Sequence, residues 1–146
     1  MAFIALAAVS TVSADQSVIY VNGSSGNDSW DGQSAVYDNT SGSGPKLSIS
    51  SAIGTVTDNG TVNIADGVYT GENNTNITID KDLTINGQSS DDTIINGTNS
   101  AQIFTINSSV NVTISNLTFA NGNVTQNLTL ANENITAGAL YVILGV

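Results

Sequence analysis

The chain has 146 residues, enough for one ordinary domain, and only 10% of them are charged, against about 25% in a typical soluble domain. Polarity comes instead from 19 Asn, 18 Ser and 17 Thr, while Lys46 and Lys81 are the only basic side chains against 12 carboxylates, for a net charge of −10. Two lysines make no cationic footprint for nucleic acid. With no His and no Cys there is no catalytic triad, thiol chemistry or ordinary zinc site, though oxygen-ligand sites for hard cations such as Ca²⁺ stay open.

Residues 1–14 (MAFIALAAVSTVSA) are an apolar run ending in small residues, the pattern of a secretory signal's hydrophobic region and cleavage site. At 14 residues the run is shorter than the ~20 of a membrane-spanning helix. No basic residue precedes it, so either the true start lies upstream, or the run is a buried apolar strand or helix of an intracellular protein. The abrupt change to polar, Gly-rich sequence at Asp15 favours export, placing the mature chain outside the cell or on its surface.

Val18-Ile19-Tyr20-Val21 predicts a short strand. Asn22 to Gly44 is rich in Gly, Ser, Asn and Asp, with Trp30 and Tyr37 as its large rings; it predicts a loop, ordered where Trp30 packs. Ile49, Ala52, Ile53 and Val56 fall at i, i+3, i+4 and i+7, the apolar stripe of a short helix, with Pro45 upstream and Asp58-Asn59-Gly60 as the stop. So short a helix must dock to persist.

Beyond Gly60 the period becomes two. Val62-x-Ile64, Ile77-x-Ile79, Leu83-x-Ile85, Phe104-x-Ile106, Val112-x-Ile114, Leu117-x-Phe119 and Leu128-x-Leu130 alternate apolar with polar residues, mostly Asn or Thr, as half-buried strands do. Leu83-Thr84-Ile85-Asn86 and Phe104-Thr105-Ile106-Asn107 are nearly identical and 21 residues apart, and Val62-Asn63-Ile64 lies another 21 upstream. A strand triplet recurring at that spacing predicts a solenoid. An antiparallel sandwich is the competitor.

Certain segments resemble the secreted right-handed parallel β-helix proteins with a pectate-lyase-like fold. They are Ile19-Tyr20-Val21, Gly26-Asn27-Asp28-Ser29-Trp30-Asp31-Gly32, Gly44-Pro45-Lys46, Ala52-Ile53 and the run Gly60 to Tyr69. Leu83 to Gly87, Thr93 to Gly97 and Val112 to Phe119 look like their rungs. In Asn/Thr richness the chain is most similar to adhesin-like surface proteins of methanogenic archaea, over about Val18 to Gly138. The expectation is therefore an all-β, right-handed parallel β-helix with a short N-terminal capping helix, the cap being what the resemblance implies. Its parts are a signal-like segment at 1–14, a first strand, loop and capping helix at 15–60, and rungs at 61–146. The apolar stretch Ala137 to Val146, where the family continues with polar turns, predicts a chain cut from a longer protein.

Asp28 and Asp31 bracket Trp30 in an oxygen-rich turn, a candidate Ca²⁺ site or simply a hydrogen-bonded turn; no other cofactor is expected. Asp91-Asp92 allows the same two readings. Asn-x-Ser/Thr sequons occur at Asn22, Asn27, Asn39, Asn59, Asn73, Asn76, Asn96, Asn107, Asn111, Asn116, Asn123, Asn127 and Asn134. They read as N-glycosylation sites, or as what strand alternation and Asn-Gly turns write by themselves. The glycosylation candidates are Asn22, Asn59, Asn96, Asn123 and Asn134. Lyases of the resembling group use an Arg or Lys base with carboxylate-bound Ca²⁺; here there is no Arg, and Lys46 and Lys81 sit beside the cap and on a turn. Asp80 and Asp82 have a spacing permissive for a hydrolase pair, but Lys81 between them suggests surface charge. No catalytic residue is assigned.

The expectation for function is a secreted, non-catalytic, adhesin-like protein. Its polar face would contact extracellular glycans or proteins, with Tyr69 or Tyr141 available to stack on sugars, and with no nucleic-acid partner and no membrane span in the mature chain. The alternatives are a truncated or inactive polysaccharide-processing protein and a passive cell-wall component.

Overall fold

A computed structural model describes residues 15–107, 110–123 and 136–144, the last stretch as backbone. The signal-like segment 1–14, the strand expected at Leu128-x-Leu130, and Asn127 and Asn134 lie outside the described residues. The elements are β1 (Val18–Val21), α1 (Ile49–Thr55), β2 (Gly60–Ile64), β3 (Gly67–Tyr69), β4 (Ile77–Ile79), β5 (Leu83–Gly87), β6 (Thr93–Asn96), β7 (Phe104–Ile106), β8 (Val112–Gly122) and β9 (Thr136–Leu144).

The strands pair in parallel. One sheet runs β1-β2-β5-β8-β6-β3, with β9 also on β8, and β4 and β7 form a separate pair. The long strand β8 joins two arms: Val112 to Ser115 pair with β5, and Thr118 to Ala120 pair with β6. Between them Asn116 takes a left-handed φ of 54°, a conformation Asn tolerates better than most residues. Among the described residues, five of the six non-glycine residues with positive φ are Asn (59, 76, 99, 116 and 121), so part of the Asn excess serves the backbone rather than a ligand.

The expected all-β, closed right-handed β-helix is therefore corrected. Among the described residues the sheet is open, with no solenoid closure, and with α1 the fold is mixed α/β-like with low helical content. The 21-residue repeat misleads because its two best copies do not stack. Leu83 to Asn86 pair with β2 and β8, whereas Phe104 to Ile106 pair with β4 in the other sheet. Stacked partners lie 23 residues apart for Asn63 and Asn86 and 29 apart for Asn86 and Ser115. Alternation is a local signal; which strand meets which depends on the connections, and these vary in length.

Alternation does place the side chains. Ile19, Val62, Ile85 and Ile114 are in register along the inner face and all are buried. They join a single core that also takes in Ile49, Ala52 and Ile53 of α1 and Ile77, Ile79 and Phe104 of the small sheet. Phe104 meets Phe119 edge-on, with ring centroids 5.4 Å apart.

The helix α1 packs on β1 and β2 and is held at both ends. Its first-turn N–H groups, orphaned in any helix, are donated to Asn74 Oδ1 from Ile49, to the Asn73 carbonyl from Ser50, and to Ser48 Oγ from Ser51. At the other end Lys81 Nζ donates to the carbonyls of Ile53 and Val56, each at 3.0 Å, where a cation complements the helix dipole. The helix stops at Val56, already extended, before the expected Asp58-Asn59-Gly60 signal.

Candidate functional site

The outer face of the first arm carries two columns in register. Thr61, Thr84 and Thr113 form one; Tyr20, Asn63, Asn86 and Ser115 form the other. The amides of the second column are chained: Ser115 Oγ and Asn116 Nδ2 each donate to Asn86 Oδ1 at 2.9 Å, and Asn86 Nδ2 donates to Asn63 Oδ1 at 3.3 Å. At the β1 end a cavity of ≈ 250 Å³ opens between this column and the loop, lined by Tyr20, Ala35, Asn63, Asn86 and Gln88 among others. The loop is fastened over the β1 edge by Tyr20 N–H donating to the Gly32 carbonyl, Lys46 N–H to the Tyr20 carbonyl and Asn22 N–H to the Lys46 carbonyl. That pairing also covers an edge which would otherwise template association.

Asp28 and Asp31 are the loop's internal ties. Asp28 accepts from Leu47 N, Ser48 N and Ser48 Oγ at 2.9, 2.9 and 2.8 Å. Asp31 accepts from Gln33 N, Ser43 Oγ and Gly44 N at 3.0, 2.8 and 3.3 Å. These bonds engage both oxygens of Asp28 but only Oδ1 of Asp31, and the described residues contain no group of three or more His, Cys, Asp or Glu arranged to hold a metal. Trp30 stacks on Tyr37, with centroids 4.3 Å apart. Burial, the largest single effect on Asp31, pushes its carboxyl up; the three hydrogen bonds and the Lys46 charge outweigh it and hold it below the usual range.

Asp80 and Asp82 are parted by the bend between β4 and β5. Asp80 lines a shallow surface cavity with Glu72 and Lys81, whereas Asp82 accepts from Asn111 N and Nδ2 at 2.7 and 3.0 Å. Asp91 and Asp92 are exposed in a turn where Asp92 N donates to Ser89 Oγ at 3.2 Å. The Asn111 side chain, then its backbone, hold the Asp82 carboxyl below its ordinary value against slight desolvation. A carboxyl lowered on folding stabilises the fold above its unfolded pKa of about 4, and this is lost as pH falls through the lowered value. Replacing Asn111 with Ala is therefore expected to lower Tm at neutral pH and to flatten the fall in Tm below about pH 4; melting curves across pH check it. An acid limb identical to that of the unmodified chain would contradict it.

Tyr69, expected as a sugar-stacking ring, is buried. Its hydroxyl donates to the Ala65 carbonyl at 2.8 Å and accepts from Gly23 N at 3.3 Å. The ring of Tyr141 lies outside what the structure describes. Tyr20, half-buried, lies on the outer face in register with Asn63, where strict alternation sets it opposite buried Ile19.

The sequons differ in their amide nitrogens, the atoms that would carry a glycan. At Asn22 and Asn96 the side-chain oxygen is engaged, by Ser24 N and Ser25 N at Asn22 and by Thr98 N and Asn121 Nδ2 at Asn96. Among the described residues the nitrogen makes no bond at either. Asn59 is exposed and its Nδ2 makes a 3.3 Å bond to neighbouring Asp58, while Asn123 is half-buried. By contrast Asn111 Nδ2 is tied to Asp82 and Asn116 Nδ2 to Asn86.

No helix among the described residues is long and apolar enough to cross a membrane. Compared with known proteins, the chain matches no family model, no curated protein and no solved structure.

Proposed function

We propose that this is a secreted, adhesin-like display protein that contacts neutral glycans at the cell surface without transforming them. The observation that carries the reading is the outward column of Tyr20, Asn63, Asn86 and Ser115, a ruled array of hydrogen-bonding groups beside an aromatic ring. The state of the two lysines supports a neutral ligand. Lys46 is buried with Nζ on the Asp28 carbonyl at 3.2 Å, and Lys81 Nζ is held by two helix carbonyls. Neither is offered to an acidic polysaccharide as counter-charge or base, and the net charge of −10 repels one.

The chain labelled with a fluorophore and presented to beads coated with neutral polysaccharide is expected to be retained equally at low and high salt, since no ion pairs form that salt would screen. Absence of retention, or its loss at high salt, would overturn the reading. The turn sequons Asn22 and Asn96, whose amide nitrogens make no bond among the described residues, are the ones expected to be modified. Site mapping after expression in an N-glycosylating host is expected to find sugar at Asn22 and Asn96 and none at Asn111 and Asn116; occupancy of the latter pair would contradict it.

A further inference from the structure

We propose that the cavity beside Tyr20 is a subsite for one neutral sugar ring, with Tyr20 as its stacking platform and the amide groups of Asn63 and Gln88 as its donors. This rests on the glycan-contact reading and gives it a place. The amide chain of the outer column has a direction. Ser115 and Asn116 donate to Asn86, and Asn86 donates to Asn63, so each step engages an oxygen and the chain ends at Asn63 Nδ2, which has no partner among the described residues. Gln88 repeats the pattern: its Oε1 accepts from Asp66 N at 3.4 Å and its Nε2 is unpartnered among the described residues. Both residues line the cavity with Tyr20, Ala35 and the aliphatic part of β2.

The cavity thus offers uncommitted N–H donors, an aromatic ring and apolar walls, while the oxygens of its side-chain amides are already engaged. Such a site selects a ligand that supplies acceptors and an apolar face. Sugar hydroxyls rotate to accept, and the C–H face of a pyranose lies on an aromatic ring. A peptide fits less well, because its own N–H groups would need acceptors and a buried unmet donor is costly. Anions meet the −10 charge with both lysines engaged, and cations meet donors. At ≈ 250 Å³ the space is below the ~300 Å³ of a drug-sized site, in keeping with one ring of a longer chain.

The test is binding of the full chain to an array of neutral oligosaccharides (hexose and N-acetylhexosamine oligomers), uronate oligomers and a glycine-rich peptide. It is run for the unmodified protein, Tyr20→Ala, Asn63→Asp and, as a control on the same face outside the cavity, Thr113→Ala. Asn63→Asp keeps an oxygen to accept from Asn86 and exchanges the amide N–H donors for a second, negatively charged carboxylate oxygen, so it tests the site even if Tyr20→Ala fails to fold. Neutral-oligosaccharide binding is expected to weaken about tenfold in Asn63→Asp, by at least as much in folded Tyr20→Ala, and not in Thr113→Ala. Undiminished neutral-glycan binding in Asn63→Asp overturns this subsite and leaves the glycan-contact function standing. Failure of the unmodified chain to bind any neutral oligosaccharide, or a preference for uronates or the peptide, overturns both.

Discussion

Ile85→Ala is expected to lower the unfolding free energy by about 2–5 kcal/mol, the range for removing a large aliphatic side chain from a packed core. Ile85 is fully buried and central in the inner column, with Val62 on one neighbouring strand and Ile114 on the other. Main-chain pairing fixes the spacing of those neighbours, so the walls of the new void have little freedom to close on it. Against a typical total of about 5–15 kcal/mol the loss would leave a marginal fold. The check is a urea titration beside Thr84→Ala, one residue earlier on the outer face and half-buried. The midpoint should fall strongly for Ile85→Ala and little for Thr84→Ala. Equal shifts would mean that the inner column is not the core.

Gly87→Ala carries the second large effect, through excess volume. A Cβ at Gly87 would run into the backbone carbonyl of Asn116 and come within 2.9 Å of Leu117 Cβ. Neither is the far end of a flexible side chain. Both belong to the left-handed turn where β8 passes from one arm of the sheet to the other, so relief requires the bend itself to move. The expected cost is about 1–3 kcal/mol, typical of overpacking. Thermal melting should show a Tm drop for Gly87→Ala and a smaller one for Gly42→Ala. Gly42 has open space around its Cβ position, and its φ of 74° supplies only backbone strain. A larger loss at Gly42 would contradict the close approach at β8.

The inner face was legible because burial writes an alternation that needs no knowledge of partners. Val18 to Val21 and the strands around Val62, Ile77, Leu83, Phe104 and Val112 lie where the pattern puts them. The strands at Gly67–Tyr69 and Thr93–Asn96 carry no clean alternation. Thr93 is fully buried, and its hydroxyl is satisfied by Asp66, Gln88 N and Ser89 N, so a polar residue stands where the pattern would ask for an apolar one. Strand order and closure were not legible. Two nearly identical quartets landed in different sheets, because a quartet records which face is buried and not which neighbour it meets.

The candidate site was legible only in outline. Oxygen-rich spacing at Asp28 and Asp31 looked the same for a cation as for backbone N–H donors, and the loop supplies the donors. Tyr69 and Tyr20 are equally tyrosines on paper; the hydroxyl of one is turned inward to Ala65 while the ring of the other stands beside Asn63. Asn density suggested a glycan coat, and the fold divides that density three ways: left-handed turns such as Asn116, ladder rungs such as Asn86, and turn sequons such as Asn22.

Glycan contact without turnover is measured by incubating the intact chain with a neutral polysaccharide and following, in one sample, the polysaccharide retained on the protein and the sugar ends it carries. Retention is expected, with no new reducing or unsaturated ends at any incubation time. Accumulation of either kind of end would make the chain an enzyme, and absence of retention would leave its ruled polar face without the partner proposed for it.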